Sequence, residues 1–76
     1  MDNQLGTRLL RMGSMGQDVS DLQLILQSLG YNPGAIDGIY GNRTMNAVIE
    51  FQRNNGLVAD GIAGPDTFNM IFQLYP

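Results

Sequence analysis

Residues 37–46 read Asp-Gly-Ile-Tyr-Gly-Asn-Arg-Thr-Met-Asn, and residues 60–69 repeat this pattern as Asp-Gly-Ile-Ala-Gly-Pro-Asp-Thr-Phe-Asn. Each copy places a turn-forming Asp-Gly pair, a second Gly and a Thr before a segment with helical apolar spacing. Each copy therefore predicts a tight loop that leads into a helix. Two repeats are too few for an open solenoid, so we expect them to pack against a third element.

Apolar periodicity and helix-boundary residues predict three helices. The first spans Asp18–Leu29, with Asp18 as its N-cap and Gly30 just after its end. The second spans Asn42–Asn54, and the third begins at Pro65 and ends near Leu74. The side chains predicted to be buried are Val19, Leu22, Ile25, Leu26 and Leu29, then Thr44, Ala47, Val48 and Phe51, then Thr67, Met70, Ile71 and Leu74. We predict an all-α fold, a compact three-helix bundle.

The residues before the first helix lack a helical pattern, so we predict an ordered but irregular segment over 5–17. The side chains expected to attach it to the core are Leu9, Leu10 and Met12. We divide the chain into a mobile N-terminal arm at residues 1–7 and one domain at residues 8–76.

Composition excludes several classes of protein. The 76 residues suffice for one small domain but leave little room for a deep catalytic cleft. The absence of Cys and His excludes disulfides, thiolate and imidazole catalysis, and ordinary zinc sites. Four basic residues and a net charge of −3 argue against a nucleic-acid partner. No apolar run approaches the roughly 20 residues that span a bilayer, and no signal-peptide pattern is present, so we expect a soluble module with no membrane partner whose export signal lies elsewhere.

Asp37 and Asp60 admit a functional and a structural interpretation. Paired carboxylates can act as acid and base in glycoside hydrolysis, or bind a hard cation. An Asp before Gly more often accepts hydrogen bonds from the backbone two residues on, while the Gly supplies a positive φ. Neither loop has the alternating ligands and distal Glu of a calcium-binding loop. We therefore assign both residues a structural role and predict no metal site, no cofactor and no catalytic residue.

Three further polar side chains on the helices also have structural interpretations. Glu50, the only Glu, is predicted to lie on a solvated helix face. Thr44 and Thr67 lie on the core side near helix starts, where a hydroxyl can bond a backbone group. A hydrolase that uses Asp37, Asp60 or Glu50 is the least favoured hypothesis, because no activated acid–base pair is visible.

These motifs resemble the small peptidoglycan-binding domain of bacterial and phage cell-wall hydrolases, over nearly the whole chain. The matching blocks are Leu10-Arg11-Met12-Gly13-Ser14-Met15-Gly16, Val19 with Leu22-Gln23, Leu29-Gly30-Tyr31, Asp37-Gly38-Ile39-Tyr40-Gly41, Thr44 with Ala47-Val48 and Phe51-Gln52, Asn55-Gly56-Leu57 with Asp60-Gly61, and Gly64-Pro65-Asp66-Thr67-Phe68. The resemblance implies a non-catalytic module that binds peptidoglycan through its glycan or stem peptide. It also implies a linked catalytic domain and a location at the bacterial cell wall or outside the cell.

A peptidoglycan-binding surface needs aromatic faces, amide donors and a site for carboxylates, which helix N-termini favour. The residues that meet these needs are Tyr40, Asn42, Arg43 and Asn46 at the first repeat, and Phe68 and Asn69 at the second. We expect a shallow groove between the two repeat loops. The alternative is that Tyr40 and Phe68 only close the core.

Four apolar side chains lie away from the predicted core faces, and together they would form an exposed patch. They are Leu24, Met45, Ile49 and Phe72. Such a patch would dock a partner domain or a second copy of the chain. It supports the alternative function, a protein-interaction or scaffold domain that retains the fold, whose sign would be a strong protein partner without retention on purified wall.

Overall fold

The computed structural model describes residues 4–75, and the parts of the predictions that fall on residues 1–3 and 76 lie outside this range. The elements are α1 (Gln17–Ser28), α2 (Asn42–Asn54) and α3 (Pro65–Leu74). The described residues form no strand, and the prediction of an all-α three-helix bundle is confirmed. The predicted bounds of α2 and α3 are those observed, whereas α1 begins and ends one residue earlier than predicted. Over residues 4–75, no helix has the length and apolar character needed to cross a membrane.

The start of α1 corrects the predicted N-cap. The N-cap residue is Gly16, and no side chain caps the helix. Asp18 lies inside the first turn, where it is buried. There its Oδ2 accepts a hydrogen bond from Arg8 Nε at 2.8 Å, and its Oδ1 accepts one from Arg8 Nη2 at 3.0 Å. The prediction was wrong because Asp18 is bonded to Arg8 of the preceding segment. The N-cap preference considers only the residues next to the helix start and so could not predict this partner.

Helices α1 and α2 end in the same way. After α1, the Tyr31 N–H donates to the Leu26 carbonyl at 2.9 Å, and the glycine before Tyr31 has φ 98°. After α2, the Leu57 N–H donates to the Gln52 carbonyl at 2.8 Å, with a glycine at φ 72° in the equivalent position. Both are Schellman motifs, in which a left-handed glycine lets the chain turn away from the helix. The predicted role of Gly30 is confirmed, and Gly56 plays the same role after α2.

The core contains most of the side chains predicted for it. The buried apolar residues are Leu10, Val19, Leu22, Leu26, Tyr40, Ala47, Val48, Phe51, Ala63, Phe68 and Ile71. Ile25, Leu29 and Met70 are half-buried against this core. Leu74 is 48% exposed, so its predicted burial is wrong, since it lies in the last turn of α3, at the end of the helix.

The segment before α1 attaches to the core through one of its three predicted side chains. Leu10 is fully buried, and its backbone forms an isolated antiparallel bridge with Ala63 in the second repeat loop. Leu9 and Met12 are about half exposed, so their predicted burial is wrong. Extended backbone turns Leu9 and Leu10 to opposite sides, so only Leu10 faces inward, and Met12 lies in the turn that follows.

Candidate functional site

The first Asp-Gly loop is organised around Gln23, a buried side chain of α1. Its Nε2 donates to Asp37 Oδ1 at 3.1 Å and to the Ile39 carbonyl and Thr44 Oγ1 at 3.0 Å. Its Oε1 accepts the N–H groups of Asp37 and Gly38, both at 3.0 Å. One side chain therefore joins α1, the loop and the start of α2.

The second loop repeats this arrangement around Gln52 of α2. Its Nε2 donates to Asp60 Oδ1 at 3.1 Å, to the Ile62 carbonyl at 2.9 Å and to Thr67 Oγ1 at 3.1 Å. Its Oε1 accepts the Gly61 N–H at 3.0 Å. The repeat seen in the sequence is therefore also a repeat of hydrogen bonds.

Sequence analysis missed the role of these two glutamines. A signal was available, because Gln23 follows Val19 by one helical turn and Gln52 follows Val48 by one turn. A glutamine thus lies on the core face of the helix that precedes each loop. Each is 1% exposed, and a buried amide requires hydrogen-bond partners.

The structural interpretation of the two loop aspartates is confirmed. Asp37 Oδ1 accepts the Ile39 N–H and Asp60 Oδ1 accepts the Ile62 N–H, both at 3.0 Å. These are the bonds to the residue two positions on that Asp-Gly turns make. The Ile39 N–H, followed by the Gln23 amide, lowers the pKa of Asp37, so this carboxylate is ionised at neutral pH.

Glu50 and Thr44 occupy the places predicted for them, whereas the Thr67 hydroxyl accepts a hydrogen bond from Gln52 Nε2 at 3.1 Å and bonds no backbone group of residues 4–75. Glu50 is exposed on α2. The Thr44 hydroxyl donates to the Pro33 carbonyl at 3.0 Å. Within residues 4–75, no group of three or more His, Cys, Asp or Glu side chains is arranged to hold a metal ion.

An open pocket of about 230 Å³ lies between the first loop and the start of α2. Its buried lining residues are Gln23, Pro33 and Thr44, and the Gln23 amide, the Thr44 hydroxyl and the Pro33 carbonyl all form hydrogen bonds within the protein. Ala35 and Ile39 contribute exposed apolar surface to its walls. The hydrogen-bonding groups of these buried residues therefore have partners without a ligand, and contacts to a ligand must come from the walls.

Asn42 and Arg43, two of the predicted site residues, line this pocket and are exposed. Asn46 and Asn69 are exposed but are not among the residues that line it. The pocket belongs to the first repeat alone, whereas the expected groove lay between the two loops. The segment 33–35, which was not among the predicted site residues, forms the other wall of the pocket.

The two predicted aromatic walls are core residues. Tyr40 is 1% exposed, its hydroxyl donates to the Gly61 carbonyl at 2.7 Å, and burial raises the pKa of that hydroxyl. Phe68 is 4% exposed. The backbone before α2 is extended at this point, so Ile39 faces solvent while Tyr40 faces inward and links one loop to the other. The alternative interpretation, that both rings close the core, is the one observed.

The four residues predicted as an apolar patch do not share one role. Met45 and Ile49 are half-buried over the second loop, where a Cβ on Gly61 would lie 3.0 Å from Met45 Cγ and 3.3 Å from Ile49 Cγ1. Leu24 remains 48% exposed and Phe72 remains 45% exposed. The exposed patch centred on Met45 and Ile49 is therefore wrong, because both side chains cover a loop of their own domain.

A family model described as "Putative peptidoglycan binding domain" matches residues 15–71. This chain belongs to that family. The resemblance recognised from the sequence is thus confirmed, and it extends from the start of α1 to the buried part of α3. The repeat loops and the pocket both lie within the matched range.

Individual relatives agree with the family. The zinc D-Ala-D-Ala carboxypeptidase of Streptomyces albus G is 51% identical to this peptidoglycan-binding domain over 70 residues, which cover 86% of this chain and 26% of that protein. The N-acetylmuramoyl-L-alanine amidase CwlM of Mycobacterium tuberculosis is 48% identical over 59 residues, which cover 78% of this chain and 14% of that protein. The chain thus spans about a quarter or less of the length of these curated relatives.

A solved structure, the SleB N-terminal domain, matches the fold with a TM-score of 0.88 at 34% identity. The match covers 93% of this chain and 97% of that structure. The three-helix domain described here therefore corresponds almost completely to a domain that has been solved by itself.

Proposed function

We propose that this domain is a non-catalytic module that binds peptidoglycan through the pocket at its first loop and holds a linked hydrolase on the bacterial cell wall. Two observations support a linked enzyme: the chain covers a small part of its curated relatives, and two of these are named as a carboxypeptidase and an amidase. The observation that carries the binding site is the pocket that places Asn42 and Arg43 at the start of α2.

The start of α2 suits a carboxylate. No side chain caps this helix end, and its first turn contains no acidic residue. The first backbone donor used within the helix is the Met45 N–H, which bonds the Gly41 carbonyl at 2.9 Å, so the preceding amides lack helical partners. Free amides, the positive end of the helix dipole and the Arg43 guanidinium all favour an anionic group.

The second repeat provides an internal comparison. At the start of α3, Pro65 removes one backbone donor and Asp66 places a negative charge where α2 carries Arg43. Both changes disfavour a carboxylate. The proposed site therefore consists of Asn42 and Arg43, with Asn46 one turn further along α2 as a flanking contact, and it omits Asn69.

The test is co-sedimentation with insoluble, protein-free peptidoglycan. We expect the wild type to be retained and Arg43→Gln to be retained several-fold less, since glutamine keeps part of the side-chain stem but removes the charge. Arg53→Gln is the matched control, because Arg53 is exposed on α2 outside the pocket. A wild type that stays wholly in the supernatant, or equal losses in the two variants, would contradict the proposal.

The absence of catalysis is part of the same proposal. The loop aspartates that might act as acid and base are bonded to backbone groups, and Glu50 is exposed. A general acid needs a carboxyl group whose pKa is raised in a cleft, whereas that of Asp37 is lowered. Release of reducing sugar or free amine from wall fragments by the purified chain would show that this part is wrong.

A protein-interaction role is the second candidate. Leu24 and Phe72 are exposed apolar side chains, and the Phe72 ring stacks on Phe68 at a centroid distance of 6.4 Å. Self-association through them would appear in sedimentation velocity as a dimer that Leu24→Glu or Phe72→Glu dissociates. A monomer at all concentrations would exclude self-docking.

A further inference from the structure

The pocket at the first loop combines a carboxylate oxygen without a hydrogen bond and a guanidinium without an ion pair, as far as residues 4–75 are concerned. Asp37 Oδ1 is used by the Ile39 N–H and by Gln23 Nε2. Asp37 Oδ2 receives no hydrogen bond from residues 4–75, and the residue is exposed. Arg43 forms no ion pair within the same range, with Asp37 or with any other carboxylate. Opposite charges thus line one pocket without neutralising each other.

The position of Arg43 is set by the opposite wall. Its Cβ and Cδ would each lie 3.1 Å from a Cβ added to Gly34, so the stem packs directly on this glycine. Gly34 has φ 85°, and its N–H donates to Asn32 Oδ1 at 3.3 Å in an Asx turn. The turn therefore supports the stem and leaves the guanidinium at the rim of the pocket.

The walls also carry exposed apolar surface. It comes from Ala35 and Ile39, and Ile39 is 51% exposed. A ligand that presented only hydroxyl groups would leave this surface unused. A short aliphatic segment would cover it and remove apolar area from water.

The size of the pocket limits the ligand to a single residue-sized group. Pockets for drug-sized ligands usually measure roughly 300–1,000 Å³. This pocket measures about 230 Å³. It is therefore suited to one end of a chain, and the rest of a wall fragment would lie outside.

We propose that the pocket binds a zwitterionic amino-acid end, in which an ammonium and a carboxylate share one carbon. Asp37 Oδ2 accepts a hydrogen bond from the ammonium, and Arg43 donates to the carboxylate. The inference rests on the proposed function and deepens it. An ammonium and a carboxylate on one carbon belong to an amino acid and not to a sugar, so the inference selects the stem peptide over the glycan as the part of the wall that is recognised.

The second loop keeps the aspartate and an isoleucine at the position of Ile39, but it lacks the wall at 33–35 and the arginine. Residues 31–36 separate Gly30 from Asp37, whereas only residues 57–59 separate Gly56 from Asp60. The second connection therefore has no counterpart of the wall at 33–35. Asp66 stands in the position of Arg43, so a carboxylate would be repelled there. Asp60 is consequently a control for Asp37 with the same turn geometry.

The experiment is an NMR titration of the isotope-labelled domain with three small probes, D-alanine, N-acetyl-D-alanine and D-alaninamide. The second probe lacks the ammonium and the third lacks the carboxylate. We expect D-alanine to shift the amide signals of Gly34, Ala35 and Asn42, and each derivative to bind about fivefold more weakly, as partly exposed charge pairs allow.

Three variants assign the two charges. Asp37→Asn should discriminate several-fold less than the wild type between D-alanine and its N-acetyl derivative, and Arg43→Gln several-fold less between D-alanine and its amide. Asp60→Asn makes the same change in the second loop and should behave as the wild type. Equal binding of the three probes to the wild type, the absence of shifts at the pocket, or preferences unchanged in the variants would each overturn the inference.

The outcomes separate this inference from the proposed function. Wall retention that Arg43→Gln reduces, without discrimination among the probes, would overturn the zwitterion site and leave the wall-binding function standing. Discrimination among the probes without any wall retention would support the zwitterion site and contradict the proposed function.

Discussion

At the scale of single residues, Gln23 and Gln52 organise the two loops. Each side-chain amide has two hydrogens and lies within 3.1 Å of three acceptors, so one hydrogen bond is shared. Among the described residues, no buried side-chain polar atom lacks a hydrogen-bond partner. Such a network contributes to stability only while every member is present.

Replacement of Gln52 by Leu should lower the free energy of unfolding by roughly 3 kcal/mol, because it leaves loop groups such as the buried Gly61 N–H without a partner. Urea unfolding followed by circular dichroism measures the change. Gln73→Leu is the control, since Gln73 is exposed on α3 and its loss should change stability by less than about 0.5 kcal/mol. Equal effects of the two substitutions would contradict the assigned role of Gln52.

At the scale of elements, each loop is packed against the helix that precedes it. A Cβ on Gly38 would lie 2.9 Å from Ser20 Oγ of α1. A Cβ on Gly61 would lie 3.0 Å from Met45 Cγ of α2. The approach is equally close in the two repeats, with a polar partner in the first and apolar partners in the second. The apolar character of Met45 and Ile49 thus has a structural cause.

Alanine substitution at two glycines distinguishes the stability cost of steric crowding from that of backbone strain. Gly56 and Gly61 have φ values of 72° and 75°, but a Cβ on Gly56 would have no neighbour within 4 Å. Gly56→Ala should therefore lower the free energy of unfolding by only about 1 kcal/mol, which is the cost of placing alanine in the left-handed conformation. Gly61→Ala should lower the free energy of unfolding by about 1 kcal/mol more, because the new methyl group also crowds Met45 and Ile49.

Chemical unfolding of both glycine variants measures the difference, and a third protein tests its cause. Met45→Ala in the Gly61→Ala background should recover part of the added loss, since it makes room for the new methyl group. A difference that persists unchanged in this double variant would show that Met45 is not the group being crowded.

At the scale of the whole molecule, the segment before α1 joins parts that are distant in the sequence. Arg8 binds Asp18 of α1, and the backbone of Leu10 pairs with Ala63 of the second loop. The Gly13 N–H also donates to the Tyr40 carbonyl at 3.0 Å, beside the first loop. One irregular segment therefore contacts α1 and both repeat loops.

Stability should fall in acid through Asp18. The hydrogen bonds from Arg8 hold the pKa of Asp18 below its ordinary value of 3.8. A carboxyl group with a lowered folded-state pKa stabilises the fold fully above its unfolded-state pKa, and this contribution is lost as the pH falls through the folded-state value. The contribution of Asp18 to stability should therefore be fully present above about pH 5 and should decline below about pH 4.

Urea midpoints at about pH 7 and about pH 2.5 test this in the wild type and in Asp18→Asn. The variant should be less stable at neutral pH and should lose less stability in acid. Asp37, whose pKa is also lowered, titrates in both proteins, so the difference between them reports Asp18. Parallel pH profiles would show that the Arg8–Asp18 pair does not stabilise the fold.

The sequence by itself determined the three helices, the two repeat loops, most of the core and the family. These features depend on signals between neighbours: apolar spacing of one helical turn, glycines at helix ends, and Asp-Gly turns. It also indicated Asn42 and Arg43 at the start of α2.

Only the tertiary structure decided which polar residues were partners and where the pocket lay. Tyr40 bonds a carbonyl 21 residues away, and Gln23 reaches a loop 14 residues beyond it. The pocket exists because the segment 33–35 packs beside Arg43. Such contacts join residues distant in sequence. Local periodicity places the two glutamines on the core faces of their helices but does not identify their partners, so the two networks and the inward turn of Tyr40 required the folded chain.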